Sequence, residues 1–174
     1  MRIKAQDLVL NTKDLKTGQK ILLSGIIYTA RDAAHKRIID MLDSNKELPI
    51  NLKNIAIYYC GPTSAKPGAV IGACGPTTSS RMDSFTPRIL KEGVKLLVGK
   101  GARTEIVVNS IKENNAVYFV ATGGVAALIS KTVKKADLIA FEDLGPEAIY
   151  KFEVEDMPLI VAIDSNGSNI FTRG

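Results

Sequence analysis

Short apolar runs that stop at the same tripeptide set the scale of the elements this chain can build. Residues 55–60 and 69–73 are brief and apolar, and they give way to Gly61-Pro62-Thr63 and Gly75-Pro76-Thr77. Proline has no N–H to extend a ladder and glycine weakens one, so both runs read as short strands. Residues 20–28 (KILLSGIIY) read as another buried strand, and 30–42 place Ala34, Ile38 and Met41/Leu42 at helical spacing. Strand running into helix points to a mixed α/β architecture.

The rest of the chain fits that reading. Asp32 stands near the start of the first helix, where a carboxylate complements the helix dipole. Residues 87–97 predict a helix with Pro87 at its first position, broken by Gly99-Lys100-Gly101. A helix follows over 105–112, a strand over 116–121, a short helix over 124–133, and strands over 136–141 and 158–164. The first twenty residues read as an edge strand and connection, and 45–54, with Pro49, as a surface connection. Thr17-Gly18 and Ser165-Asn166-Gly167 are turn signals. With no repeat and no linker, 1–174 is expected to be one domain.

Composition excludes several classes. A chain with 45% hydrophobic and 24% charged residues can bury enough to fold. No apolar run approaches the ~20 residues of a membrane span, and the first twenty residues lack a signal-peptide core, so the cytoplasm is expected. Two cysteines, Cys60 and Cys74, argue against a secreted disulfide framework, with one bridge left open. The net charge of +5 is spread along the chain without interleaved aromatics, which argues against nucleic acid.

The unusual stretch is 61–82, GPTSAKPGAVIGACGPTTSSRM, dense in Gly, Pro, Ser and Thr around a strand that looks buried. Backbone N–H groups and hydroxyls in such a loop can form a concave anion nest. Gly75-Pro76-Thr77-Thr78-Ser79-Ser80-Arg81 is the candidate segment there, adding to its hydroxyls a guanidinium that matches a carboxylate in bidentate fashion. The plain alternative is a capped turn with a solvated Arg81. A second candidate lies where the 20–28 strand gives way to the helix, with Arg31 and, one helical turn later, the single histidine His35. A lone histidine is more often structural or solvated than catalytic. Third is Lys100 between two glycines, against which stands a helix C-cap with a surface lysine. Cys60 and Cys74 are too few to hold an iron–sulfur cluster and read as buried structural thiols, so no metal ligand is expected.

Arg31-Asp32-x-x-His35-Lys36, Gly75-Pro76-Thr77-Thr78-Ser79-x-Arg81-Met82 and Gly99-Lys100-Gly101 resemble the C-terminal domain of class I fumarate hydratases. The same domain occurs as the beta subunit of two-chain fumarate and L-tartrate dehydratases, and Phe141-Glu142-Asp143-Leu144-Gly145-x-Glu147-Ala148-Ile149 extends the match to nearly the whole chain. The resemblance implies a swivelling β/β/α fold and a hydro-lyase acting on a C4 dicarboxylate. It implies a [4Fe–4S] cluster held by a partner alpha subunit, whose iron acts as a Lewis acid, and an alpha2beta2 assembly. Arg31, Thr77, Thr78, Arg81 and Lys100 would then bind substrate, Thr77 would exchange the carbon-bound proton, and His35 is the candidate relay. Fumarate/malate is the expected substrate. L-Tartrate dehydration to oxaloacetate, or a non-catalytic dicarboxylate-binding module, remain open.

Overall fold

The computed structural model describes residues 1–121 and 126–172. Its frame is a seven-stranded sheet: β1 (Arg2–Lys4), β2 (Lys20–Thr29), β3 (Ala56–Tyr58), β4 (Leu96–Gly99), β5 (Val117–Ala121), β6 (Val133–Ala140) and β7 (Ile149–Ile163). Strands β2, β3, β4 and β5 are parallel neighbours, and β7 pairs antiparallel with both β5 and β2, which closes the sheet on itself. β1 and β6 add to β2 and β7. The protein is a small mixed α/β fold around a barrel-like sheet.

Period-2 alternation sorts the strand side chains into two cores. Tyr58, Leu96, Val98, Val117, Phe119, Phe152 and Val161 belong to one buried cluster. Ile57, Tyr59, Leu97 and Tyr118, from the other face, pack with α2 (Asp32–Asp43), α3 (Thr86–Lys91) and α4 (Glu105–Glu113) in the second. Two further short helices are α1 (Ala5–Leu8) and α5 (Ala126–Thr132).

The strands over 20–28 and 116–121 and the helices over 30–42 and 105–112 are found within two residues of their expected bounds. Three readings are corrected. The 69–73 run is no strand: Val70 is about half exposed, and Gly72 and Ala73 hydrogen-bond back to Thr63. A run that short pairs locally when the Pro67-Gly68 turn folds it back onto the residues just before the turn. The 87–97 helix stops at Lys91, because Gly93 adopts φ +106° and the Leu-Leu-Val that follows is buried on both faces as β4. Gly99-Lys100-Gly101 therefore ends a central strand, not a helix. Finally, β7 starts at Ile149, nine residues before the expected strand, with Pro158 inside it opposite Leu22. Lys151, Glu153 and Glu155 break up its apolar pattern because only one face of that half is buried. The short helix expected over 124–133 is seen from Ala126, its first two residues lying outside the described set.

Candidate active site

The parallel strands β2, β3 and β4 finish at one end of the barrel, where open α/β sheets place ligands. Arg31 follows β2 and starts α2 as its N-cap. Tyr59 follows β3, and its N–H still donates to the Val98 carbonyl at 2.9 Å. Past that bond β3 and β4 part, and the 77–79 segment wedges between them. Thr77 N–H donates to the Tyr59 carbonyl at 2.8 Å, Thr78 forms a parallel bridge with Lys100, and Ser79 N–H donates to the Lys100 carbonyl at 2.9 Å. The Lys100 N–H returns a bond to Ser79 Oγ at 2.9 Å. Ser79 sits so close to Gly99 that a Cβ there would collide with its hydroxyl, and this contact explains the glycine.

Behind that wedge lies a buried polar cluster. The Arg103 guanidinium is sealed from solvent, donating to Asp83 Oδ1 and Thr86 Oγ1, each at 2.7 Å. Its centre lies 5.2 Å and 4.9 Å from the ring centroids of Tyr59 and Tyr118, within cation–π range. Tyr118 OH donates to Ser79 Oγ at 3.0 Å or to the Gly101 carbonyl at 2.8 Å. The loops bearing Thr77, Thr78 and Lys100 are thus tied to one buried cation.

Arg31 lies against Gly61, where a Cβ would come within 3.0 Å of its Cδ and Nη1. Its Nη2 pairs with Glu147 Oε1 at 3.1 Å, and its Nε faces Asp32 Oδ2 at 3.8 Å. That last gap is too long for a hydrogen bond and leaves both atoms buried and unsatisfied. Arg81 donates through Nε to Asp32 Oδ1 at 2.9 Å. Among the described residues no hydrogen bond engages its terminal nitrogens or Lys100 Nζ. Thr77 is half-buried, while Thr78, Arg81 and Lys100 are exposed, so the site is an open shelf. Asp32 and Glu147 are the carboxylate partners of these arginines, which motif reading did not single out. Both lie inside the segments quoted above, but nothing in their spacing pairs them with an arginine.

His35 is fully buried, its ring stacked on Phe85 and edge-on to Tyr59. Burial lowers its pKa from 6.5 to about 4, against the opposing hydrogen bond to Arg31. The ring is therefore neutral at pH 7. Its Nδ1 must carry the proton, since it meets the Arg31 carbonyl at 2.8 Å. Nε2 is unpartnered, and among the described residues no hydrogen bond joins His35 to Thr77.

The sequence of this scaffold matches a model of the family described as Fumarase C-terminus over residues 2–174. The chain belongs to that family. It is 41% identical over 167 residues to the "Putative L(+)-tartrate dehydratase subunit beta" of Methanocaldococcus jannaschii, covering 92% of this chain and 86% of that protein. Identity is 35% to Fumarate hydratase 2 of Leishmania major, over 90% of this chain, and 35% to the anaerobic class I fumarate hydratase of Escherichia coli, over 88%. The chain spans 28% of each of these two fumarate hydratases. The family setting is that of hydro-lyases.

A [4Fe–4S] cluster does not fit the donors here. Among the described residues no three His, Cys, Asp or Glu side chains converge. Cys60 and Cys74 are buried free thiols, and two are fewer than the three such a cluster needs. No helix among the described residues is long and apolar enough to cross a membrane.

Proposed function

We propose that this chain is the beta subunit of a [4Fe–4S]-dependent hydro-lyase that adds water to, or removes it from, a C4 dicarboxylate. It works with a cluster-bearing alpha subunit, in an alpha2beta2 assembly in the cytoplasm. The observation that carries the reading is the convergence of Arg31, Arg81, Thr77, Thr78 and Lys100 on one barrel end, with the terminal nitrogens of Arg81 and the ammonium of Lys100 left available.

Chemistry explains the residue types. Hydration of the double bond puts a hydroxyl on one carbon and a proton on its neighbour, and charge builds up on the carboxylate beside the protonated carbon. Preorganised cations lower the energy of that charge. Arg81 offers two parallel N–H groups to one carboxylate, Lys100 offers a point charge, and the Thr78 hydroxyl donates a hydrogen bond. Thr77, fixed through its own N–H, exchanges the proton with carbon; the nearby cations favour its ionised form. His35 acts from behind, holding the Arg31 carbonyl, and any relay through it must use Nε2.

Fumarate/malate is the favoured substrate. L-Tartrate is the second reading, supported by the relative named as a tartrate dehydratase subunit, which this chain covers almost end to end. Co-expression with the alpha chain, anaerobic cluster reconstitution, and rates on malate, tartrate and their methylated analogues test both. A well-formed assembly that dehydrates none of these would end the hydro-lyase reading in favour of a non-catalytic dicarboxylate-binding module.

A further inference from the structure

Two arginines that must both meet an anion repel each other, and exposed arginine side chains sample many rotamers. Something has to hold them together and aim them. Asp32 stands between Arg31 and Arg81, accepting from Arg81 Nε at 2.9 Å and facing Arg31 Nε at 3.8 Å. It is the first residue of α2, so the helix fixes its backbone. Glu147 holds Arg31 from the other side at 3.1 Å and accepts the Ala33 N–H at 3.3 Å, which ties it to the same helix turn.

The geometry of the Arg81 contact is informative. A carboxylate that served only to neutralise Arg81 would be expected to take its bidentate fork. Asp32 instead takes the single Nε–H, and among the described residues the fork is left uncommitted. On the Arg31 side, Nε and Asp32 Oδ2 are buried and unsatisfied although they face each other. Buried polar atoms normally find partners, so this pair is set to close by a small movement.

We infer that Asp32 is a positioning residue: a shared counter-ion that offsets the repulsion between Arg31 and Arg81, and orients Arg81 by its Nε so that the two terminal nitrogens face a substrate carboxylate. This rests on the proposed dicarboxylate site. Its role is in the binding step, where it fixes the cations before substrate arrives and lowers the entropy lost on binding.

The test uses the assembled two-chain enzyme and steady-state kinetics with malate, together with direct calorimetric binding of succinate as an inert dicarboxylate. Asp32→Ala is expected to raise KM and the succinate Kd by roughly tenfold or more, and to lower kcat by less than Arg81→Lys does, because the guanidinium is kept but no longer aimed. Asp32→Asn keeps an oxygen acceptor for Arg81 Nε and should recover part of the loss. A double-mutant cycle with Arg81→Lys should be strongly non-additive, because lysine has no Nε–H in that position to orient. A residue that merely capped α2 would lower the melting temperature without moving KM, and its effect would add to that of Arg81→Lys. Either result, in an active wild-type enzyme, overturns the inference alone. A wild-type assembly that neither turns over nor binds a dicarboxylate sinks the site and the inference with it.

Discussion

Arg103 donates through Nε to Asp83 at 2.7 Å in a place where the guanidinium has no solvent at all. The pair is a structural charge, and its energetics are asymmetric. Breaking a buried pair by removing one partner costs about 3–5 kcal/mol, whereas replacing both partners can be close to neutral. Arg103→Met should therefore destabilise the chain by about 3–5 kcal/mol in denaturant titration, and Asp83→Leu added to it should restore part of that loss. Asp83 Oδ2 also accepts the Thr104 N–H at 2.8 Å, so the double variant is read against Asp83→Leu alone, and no coupling between the two changes would show that Arg103 acts through its stacking on Tyr59 and Tyr118 instead.

Arg81→Lys should impair the assembled enzyme far more than Arg→Lys at Arg88, which is exposed and, among the described residues, pairs only with Glu92 one turn on. Loss of one preorganised contact commonly costs ~10²–10³ in turnover. Near-normal kcat and KM would remove Arg81 from the substrate site.

Thr77→Val and Thr77→Ser separate chemistry from packing. Valine keeps the shape, and the backbone bond to Tyr59 survives in both variants. Solvent deuterium should no longer enter substrate with the valine variant and should still enter, more slowly, with serine. Equal exchange in the wild type and the valine variant would leave Thr77 a binding residue.

His35 makes stability depend on pH with a definite sign. Its folded-state pKa of about 4 lies below the ordinary histidine value of 6.5, so between these values the unfolded chain binds more protons. Its contribution is complete above about pH 6.5, is lost as pH falls, and levels off below about 4. Between pH 7 and 5 this amounts to about 2 kcal/mol. As the only histidine, it can be isolated: His35→Asn should flatten the urea-derived stability curve over that interval, and an unchanged slope would refute the buried neutral ring.

Gly99→Ala should force Ser79 away from β4, since the new methyl meets the Ser79 hydroxyl and the Tyr59 ring. Overpacking of this kind typically costs about 1–3 kcal/mol, and here it would also displace the Lys100 loop. Ser79→Ala in the same chain removes the colliding oxygen and should recover part of the stability, less what is lost with the bonds that hydroxyl accepts from Lys100 N–H and Tyr118 OH. If Gly99→Ala alone left melting and activity intact, the close contact would not be what fixes that loop.

Local pattern made much of this fold legible. The 20–28 strand and the 105–112 helix announce themselves because strand and helix periodicities are local properties. The 69–73 run misled because apolarity alone does not say whether five residues pair inward or fold back on Thr63. β7 was half hidden because the first part of a one-face-buried strand carries charges. At the site, local pattern pointed to Arg81 and Lys100 and the resemblance singled out Thr77 and Thr78, and the structure brings their loops together. It could not supply Asp32 and Glu147 as partners of arginines, because Glu147 reaches Arg31 only through the tertiary fold. Nor could a lone histidine in sequence reveal that its ring is sealed between Phe85 and Tyr59.

The pairing of β2 with β7 has a kinetic consequence. Lys20 meets Ile160, so the strand that completes the barrel is synthesised about 140 residues after the strand it joins. Until it arrives, β2 and β5 are open edges able to recruit another chain. Contacts so distant in sequence also slow folding, since the loop entropy is lost before the pairing returns anything. Assembly of this domain on the ribosome must therefore wait for its C-terminal third, and the interval before closure is when aggregation competes most strongly with folding.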